Sequence, residues 1–310
     1  MIKAIVTTTI NPPSKALKLF SEKKDWSLII VGDKITPHHL FRNFEKKCKN
    51  VLYLSPEDQD KKYSKLSKAI GWRKIQRRNI GYLEGYEMGA DVIATVDDDN
   101  IPSSDWGKNL FLNKTVFADH YKTRLISFDP VGATNFPHLW HRGYPLQLVA
   151  KREYSNIVKK KIKADIQADF WNGDPDIDAV CRLTFAPSCI FKNKYFPMSS
   201  NKISPFNSQN TFLTRQILKH YFLYPDIGRM DDIWASFYVQ SLGFKVIYGK
   251  PTVTQLRNVH DLTKDMKAEY IGYEKNQELI KALSKNPEAI FDYLPKSAVN
   301  AFKIYHQHFK

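Results

Sequence analysis

Three consecutive aspartates, Asp97, Asp98 and Asp99, directly follow the hydrophobic run Val92–Val96. Two carboxylates at alternate positions, such as Asp97 and Asp99, can hold Mg²⁺ or Mn²⁺, because hard cations favour carboxylate and phosphate oxygens. A bound diphosphate would supply further oxygen ligands. The alternative is a solvated turn in which Asp caps the next segment, since Asp-Asn-Ile-Pro is also typical of turns. The triplet therefore predicts either a metal and diphosphate site or a turn.

Basic residues precede the aspartate triplet along the chain, at Arg73, Lys74, Arg77 and Arg78. Arginine suits phosphate, because its planar guanidinium makes two parallel hydrogen bonds. We expect Arg77 and Arg78, which lie closer to the triplet, to contact such a ligand. Arg73 and Lys74 fit a solvated basic face equally well.

A second acidic pair, Asp231 and Asp232, follows Arg229 at the start of a helix predicted over residues 232–242. A carboxylate at a helix start that faces a crevice can act as a general base, and it can equally cap the helix. The spacing gives both roles the same weight. Farther upstream, the sequence predicts another helix start with Asp174 as N-cap and Pro175 at the first helical position.

Short hydrophobic runs alternate with helix-compatible stretches through the first hundred residues. The runs are residues 3–10, 26–31, 50–54 and 91–96, and the clearest helix between them covers residues 15–23. This alternation predicts an α/β fold with a parallel sheet covered by helices. Because ligands bind beyond the carboxyl ends of such strands, we expect residues 7–9, Asp33 and the aspartate triplet to converge on one crevice.

The chain has 310 residues, of which 43% are hydrophobic and 25% charged, as is typical of a globular protein. Its net charge of +15 favours anionic partners such as phosphates, nucleic acid or an acidic membrane surface. We expect no nucleic-acid partner, because the candidate site is acidic and no nucleic-acid-binding module is recognisable. The cysteines, Cys48, Cys181 and Cys189, lack metal-ligand spacing and indicate thiols in a reducing compartment.

The N-terminus carries no signal-peptide pattern, and no apolar run approaches the ~18–20 residues that cross a bilayer. We therefore expect a cytoplasmic protein that is soluble or peripheral at a membrane. Two apolar, basic segments at residues 279–283 and 298–305 predict a helical C-terminal tail. We expect this tail to pack on the domain or on a partner, with peripheral membrane contact and homo-oligomer formation left open.

Several segments together resemble the GT-A type of nucleotide-sugar glycosyltransferase. More narrowly, they resemble the reversibly glycosylated polypeptides, which include UDP-arabinopyranose mutases, and the STELLO-type glycosyltransferases. The segments are residues 96–99 (VDDD), 140–146 (WHRGYPL), 173–179 (GDPDIDA), 205–211 (PFNSQNT) and 227–234 (IGRMDDIW). The resemblance implies a Rossmann-type mixed, mostly parallel sheet flanked by helices. It also implies a nucleotide-binding half (1–110), a sugar- and acceptor-binding half (111–270) and a helical extension (271–310).

The resemblance further implies a UDP-sugar or related donor, a carbohydrate acceptor, and Mn²⁺ or Mg²⁺ on the donor diphosphate. Asp97 and Asp99 would hold the metal, with His260 as a further candidate ligand. Asp231 or Asp232 would lie beside the sugar. The implied donor-binding residues are Thr7, Thr8, Thr9, Asp33, Arg77, Arg78, Asp98 and Arg229.

Arg142 matches the arginine of the mutases that is associated with reversible glycosylation. A guanidinium is a poor nucleophile and a good diphosphate clamp, so we expect Arg142 to act as a clamp. The mutases carry a second arginine seven positions later, where this chain has Val149, and this departure weakens the resemblance to the mutases. The block around Arg142 and the segment 205–210 (PFNSQN) resemble the STELLO type more closely. The alternatives to a glycosyltransferase are a pyranose/furanose mutase of nucleotide sugars and a non-catalytic polyanion-binding protein.

Overall fold

β-Branched and aliphatic runs of the sequence form the strands of one large sheet, in a computed structural model that describes residues 1–256 and 261–309. The strands are β1 (Lys3–Thr9), β2 (Ser27–Gly32), β3 (Val51–Leu54), β4 (Val92–Val96), β5 (Asn100–Pro102), β6 (Thr115–Tyr121), β7 (Ile157–Lys163), β8 (Ile166–Gly173), β9 (Met198–Ser200), β10 (Asn210–Thr214) and β11 (Val246–Gln255). Their order in the sheet is β3-β2-β1-β4-β10-β8-β11-β9-β6-β7, with β5 paired to β11.

The first four strands in this order pair in parallel, as their continuous hydrophobic runs predict. Beyond them the sheet is mixed: β10 runs antiparallel to both β4 and β8, while β11 runs parallel to β8. The predicted α/β class, with a mixed sheet flanked by helices, is confirmed. The parallel strands bring the carboxyl ends of β1, β4 and β8 to one edge of the sheet.

Helices cover the sheet and form the C-terminal part of the described chain. They are α1 (Lys15–Ser21), α2 (His38–Lys47), α3 (Pro56–Ile70), α4 (Arg78–Glu87), α5 (Ala179–Phe185), α6 (Asp231–Ser241), α7 (Leu262–Leu283), α8 (Ile290–Tyr293) and α9 (Lys296–His306). Glycines let α4 lie directly on β1, because a Cβ atom added at Gly81 would come within 2.4 Å of the Val6 Cγ1 atom. This close packing places Arg78, the first residue of α4, beside the end of β4.

Aromatic side chains from separate parts of the chain pack together around Trp106. The ring of Trp106 lies 4.9 Å from Phe20, 5.1 Å from Trp26 and 5.2 Å from Phe212, measured between centroids. Its indole nitrogen also donates to the Asn210 side chain, over 2.9 Å. The cluster therefore joins α1, the residue before β2, and β10 through one buried tryptophan.

The C-terminal helices pack on the rest of the domain. This agrees with the first of the two alternatives for the tail, which were packing on the domain and packing on a partner. The Tyr305 hydroxyl donates to the Leu218 carbonyl over 2.7 Å, and the rings of Phe302 and Phe222 lie 5.7 Å apart. The helix α7 runs across residue 270, where we placed a boundary, and the division into parts stays a prediction. Among the described residues, the helices are too short or too polar to span a bilayer.

The helix predicted to start at Asp174 begins later, and that expectation was wrong. The N-cap of α5 is Asp178, which accepts from the Cys181 amide over 2.8 Å. A β-bridge joins Ile177 to His141. A helix can begin only after that bridge ends. The cysteines are free thiols, as their spacing predicted; Cys181 and Cys189 are buried and Cys48 is half-buried.

Candidate active site

A cavity of about 430 Å³ lies beyond the carboxyl ends of β1, β4 and β8. Most of the residues singled out from the sequence line it: Thr8, Arg78, Asp97, Asp98, Asp99, Arg142, Arg229, Asp231 and Asp232. A second cavity of about 250 Å³ adjoins it and shares Thr8 and Asp98 with it. Thr9, Asp33 and Arg77 line this second cavity. The predicted crevice is therefore present, with two compartments.

Among the described residues, Thr7 is the one predicted site residue that lines neither cavity. Thr7 is fully buried inside β1, so its side chain belongs to the core. His260, the predicted additional metal ligand, lies outside the described residues. Alternation along a strand explains the difference between Thr7 and Thr8, because successive side chains point to opposite faces of the sheet.

Asp98, in the middle of the triplet, binds the loop that follows β1. Its carboxylate accepts from the Thr9 hydroxyl and, over 3.3 Å, from the Asn11 side-chain amide. Its carbonyl accepts from Ser14, whose hydroxyl also caps α1. Asp98 thus fixes the β1 loop at the tip of β4, and so holds the wall between the two compartments.

Asp97 forms an ion pair with Arg78, whose guanidinium is buried. The distance from Arg78 Nη2 to Asp97 Oδ1 is 2.7 Å, and Nη1 donates to the carbonyl of Ser208 over 2.8 Å. Burial raises the pKa of Asp97 despite the ion pair, and the nearby Asp98 and Asp232 carboxylates add to this effect. Additional positive charge close to Asp97 would therefore be stabilising.

The carboxylate oxygens of the triplet are of the class that Mg²⁺ and Mn²⁺ prefer. Among the residues that the structure describes, no three His, Cys, Asp or Glu side chains are grouped closely enough to hold a metal by themselves. The aspartate triplet can therefore supply some of the ligands of a cation, provided that a bound diphosphate supplies others. A complete metal cage made of protein groups alone does not fit the described part of the chain.

Arg142 lies between two buried carboxylates, and all five of its N–H donors are engaged. Its Nε donates to Asp176 over 2.9 Å, and Nη2 donates to both Asp176 and Asp232, over 2.9 and 3.2 Å. Its Nη1 donates to Asp232 over 3.0 Å and to the carbonyl of Arg229. Arg142 therefore orients these carboxylates and has no N–H left for a diphosphate.

The adjacent residues Asp231 and Asp232 have different partners. Asp232 accepts from Arg142 and, over 2.9 Å, from the Ser208 amide. Asp231 accepts from the Gln76 side-chain amide over 2.7 Å. Burial and the Asp232 carboxylate raise the pKa of Asp231 to about 7. A carboxylate with this pKa can take up a proton near neutral pH, as a general base must.

Arg229 connects the cavity to α7. Its Nε donates to Glu269 over 2.9 Å, and its Nη1 lies 3.5 Å from Asp265. The preceding Gly228 has φ of +61°, and a Cβ atom there would lie 2.0 Å from the Ala268 carbonyl oxygen. Only glycine fits this close approach. Of the arginines that line the larger cavity, Arg78, Arg142 and Arg229, the last is the most exposed, with 27% of its side chain accessible.

Arg77 differs from Arg78 in where its guanidinium binds. It donates to Gln59 over 2.9 Å and to Ser67 over 3.0 Å, both on α3, and it stacks 3.6 Å from the Trp72 ring centroid. Burial lowers the pKa of Arg77 to about 10. Arg77 thus supports the wall of the second cavity, while Arg78 reaches the aspartates.

Sequence reasoning missed three residues that organise the site. Asp176 was taken as part of a helix start, and neither Ser208 nor Gln76 was singled out for a role. The signal for Asp176 was its place in the GDPDIDA segment, which carries more acids than one N-cap needs. For Gln76, whose partner is 155 positions away, the local sequence offers no signal.

Two curated relatives place the chain beside glycosyltransferases, although no family model matches it. They are the probable glycosyltransferases STELLO2 and STELLO1 of Arabidopsis thaliana. STELLO2 is 24% identical over 277 residues, covering 81% of this chain, and STELLO1 is 24% identical over 229 residues, covering 67%. The chain spans about a third of their length, 35% and 29% respectively. The resemblance to STELLO-type glycosyltransferases is confirmed, while that to the mutases stays a prediction.

A comparison with solved structures found two glycosyltransferases at low sequence identity. One is glucosyl-3-phosphoglycerate synthase from Mycobacterium tuberculosis in complex with phosphoglyceric acid, at 10% identity and a TM-score of 0.45, covering 89% of this chain and 80% of that one. The other is the mannosyltransferase PcManGT from Pyrobaculum calidifontis in complex with GDP-Man and Mn²⁺, at 10% identity and a TM-score of 0.44. That match covers 97% of this chain and 73% of the mannosyltransferase.

Proposed function

We propose that this chain is a glycosyltransferase that moves a sugar from a nucleotide diphosphate, most simply a UDP-sugar, to a hydroxyl of a glycan or another acceptor. The observation that carries the proposal is the single cavity in which the triplet Asp97–Asp99, the buried Arg78 and the proton-accepting Asp231 meet. The names of the curated relatives support the reaction class.

The two compartments suit the two ends of such a donor. The smaller cavity, lined by Thr9, Asp33 and Ile35, takes the nucleoside, and the larger one takes the diphosphate and the sugar. Arg229 is the cation that can turn to the diphosphate, because its guanidinium is partly exposed. Asp97 and Asp99 would hold Mn²⁺ or Mg²⁺, which supplies charge neutralisation of the departing diphosphate when bound.

Asp231 removes the proton from the acceptor hydroxyl in this proposal. Its pKa near 7 provides both a useful ionised fraction and adequate basicity at neutral pH. The Gln76 amide fixes the direction of its carboxylate, and Asp232 maintains the raised pKa by electrostatic repulsion. Asp232 itself is held by Arg142 and Ser208, so we assign it a positioning role.

The contacts of Arg142 disfavour the mutase alternative. Reversible glycosylation of an arginine requires a guanidinium nitrogen that can leave its partners and lose a proton. The Arg142 guanidinium lies between Asp176 and Asp232, and these carboxylates raise its pKa well above the ordinary value despite burial. Such a group is a stable cation and a poor nucleophile.

The test is a panel of nucleotide sugars incubated with the chain, with and without Mn²⁺, and with release of the nucleoside diphosphate as readout. We expect turnover of one donor that Asp97→Asn and Asp99→Asn each reduce at least a hundredfold. Asp292→Asn, at an exposed position of α8, serves as the matched control. Full donor turnover by both triplet variants would refute the metal-binding role.

NMR of a donor incubated without any acceptor separates the transferase from the mutase. A transferase leaves the ring form of the sugar unchanged. A new ring form that appears without release of nucleoside diphosphate would establish the mutase activity instead.

A further inference from the structure

A second polar cleft, distinct from the candidate active site, contains a cluster of lysines. Its volume is about 600 Å³, and it is lined by residues of β6, β7 and β9 and by the segment between α6 and β11. Five lysines border it, at Lys160, Lys161, Lys163, Lys202 and Lys245. Lys161 and Lys163 alternate with Lys160 along β7 and so lie on the opposite face of the strand, where the Lys161 ammonium is 5.2 Å from the Phe117 ring centroid. Lys160, Lys202 and Lys245 therefore supply the charge of the cleft. The lining residues that the structure describes include no aspartate or glutamate. We call this feature the lysine cleft.

The lysine cleft lies at the opposite end of β11 from the active-site cavity. Val246, the first residue of β11, lines the cleft, and Gln255, the last, lines the cavity. Ten residues of strand separate the two positions by roughly 25–30 Å. A donor bound in the active-site cavity therefore cannot contact these lysines. The clustering of lysines at this cleft needs another explanation.

The floor of the cleft is polar and ordered. His120 and Ser199 are 5% and 2% exposed, and the His120 Nδ1 lies 3.0 Å from the Ser199 hydroxyl oxygen. Lys160 pairs with Ala118 across the antiparallel strands β6 and β7, so it shares a face of the sheet with His120, two residues farther along. Burial lowers the pKa of His120, and Lys160, Lys122 and Lys245 lower it further. The floor thus experiences a positive potential.

We propose that the lysine cleft is a second binding site of this chain, for a ligand that carries two or more phosphate groups. Lysine ammonium groups act as point charges for phosphate. A phosphate monoester carries a charge of about −1.5 to −2 at pH 7, so two such groups match the combined charge of Lys160, Lys202 and Lys245. The site is independent of the transfer reaction proposed above.

The test measures binding of sodium tripolyphosphate to the full chain by calorimetry. We expect the double variant Lys160→Gln/Lys245→Gln to bind about thirtyfold more weakly, since each of the two lysines near an anionic group contributes on the order of 1 kcal/mol. The control, Lys61→Gln/Lys65→Gln, removes the same charge from exposed positions of α3, and we expect less than a twofold effect. Equal weakening by both double variants would overturn the proposal.

NMR of the His120 ring gives a second readout that requires no variant. Phosphate bound in the lysine cleft offsets the field of Lys160 and Lys245, so the His120 pKa must rise on saturation with tripolyphosphate. An unchanged His120 pKa under saturating ligand would place the anion elsewhere, for example beside Arg229, and would also overturn the proposal.

Vesicles identify the source of the phosphate. Phosphatidylcholine vesicles with and without phosphatidylinositol bisphosphate are compared with free tripolyphosphate, using the same double variants. Tighter, Lys160- and Lys245-dependent binding to the bisphosphate vesicles supports the cleft as a headgroup site. If the chain binds the vesicles no more tightly than it binds free tripolyphosphate, the result supports a soluble ligand at the same cleft.

Discussion

Neighbouring side chains in the site have different roles because their partners differ. Asp231 contacts an amide and keeps a pKa of about 7, whereas Asp232 pairs with a guanidinium. Arg77 and Arg78 are also adjacent, and they donate to α3 and to Asp97 respectively. At the scale of residues, the chemical role of each of these side chains follows from the face of the helix or turn on which it lies.

The general-base role of Asp231 predicts a pH profile. The base must be ionised, so kcat/KM should rise with pH through about 7 and level off above it. Asp231→Asn should lower kcat about 10²–10⁴-fold and remove this rise. Steady-state rates measured from pH 5.5 to 9 check both expectations, and a profile that keeps its inflection in Asp231→Asn would assign the base elsewhere.

The same substitution should stabilise the fold at alkaline pH. The folded-state pKa of Asp231 exceeds the unfolded value near 3.8, so this group lowers the free energy of unfolding as pH rises from about 4 to about 7. Because asparagine cannot ionise, the decrease in the free energy of unfolding between pH 4 and 7 that Asp231 causes is absent in Asp231→Asn. We expect Asp231→Asn to raise Tm at pH 8 and to leave it nearly unchanged at pH 4, while Asp292→Asn changes neither.

Replacing Arg142 should cost stability as well as activity. Lysine at this position keeps the charge and loses most of the hydrogen bonds to Asp176 and Asp232, leaving buried carboxylates poorly paired. We expect Arg142→Lys to lower the free energy of unfolding by about 3 kcal/mol, as broken buried ion pairs typically do. Urea denaturation measures this loss, with Arg124→Lys at an exposed position as the control.

At the scale of elements, two close approaches build the site. The helix α4 lies on β1 through Gly81, which brings Arg78 to Asp97. The turn before α6 lies against α7 through Gly228, which places Arg229 between the cavity and α7. Both contacts depend on a missing side chain, so each is sensitive to one added methyl group.

Alanine substitutions at Gly228 and Gly243 distinguish the energetic cost of a steric contact from the cost of backbone strain. Both have positive φ, +61° and +98°, but a Cβ atom at Gly243 has nothing within 4 Å. Gly243→Ala should therefore cost about 1 kcal/mol, from conformation alone. Gly228→Ala meets the Ala268 carbonyl and should cost distinctly more, while also raising KM for the donor. Equal losses of Tm in the two variants would argue against the contact with α7.

At the scale of the whole molecule, the C-terminal helices are part of the fold. Phe302 is 5% exposed and contacts the rings of Phe222 and Tyr224. We expect Phe302→Ala to reduce the free energy of unfolding by about 3–5 kcal/mol, the usual cost of deleting a buried aromatic ring. Phe117→Ala, at a side chain 63% exposed, is the control, and denaturant titration distinguishes the two.

Local patterns in the sequence predicted the four strands β1 to β4 and the acidic tip of β4, whereas β5 to β11 were not predicted. The bounds of β1 and β4 lie within a residue or two of the predicted runs, because a buried parallel strand is recognisable from its own residues. The ion pairs of Arg142 were beyond local reasoning, since its partners lie 34 and 90 positions away. The start of α5 was wrong for the same reason, as the bridge to His141 decides it.

The saturated guanidinium of Arg142 has an evolutionary consequence. Because every N–H of Arg142 is hydrogen-bonded, none of the three residues can change alone without loss. Replacing Asp176 or Asp232 leaves part of the buried guanidinium unpaired, and replacing Arg142 leaves both carboxylates unpaired. Positions 142, 176 and 232 should therefore covary as a triplet in an alignment of homologues, retained together or replaced together.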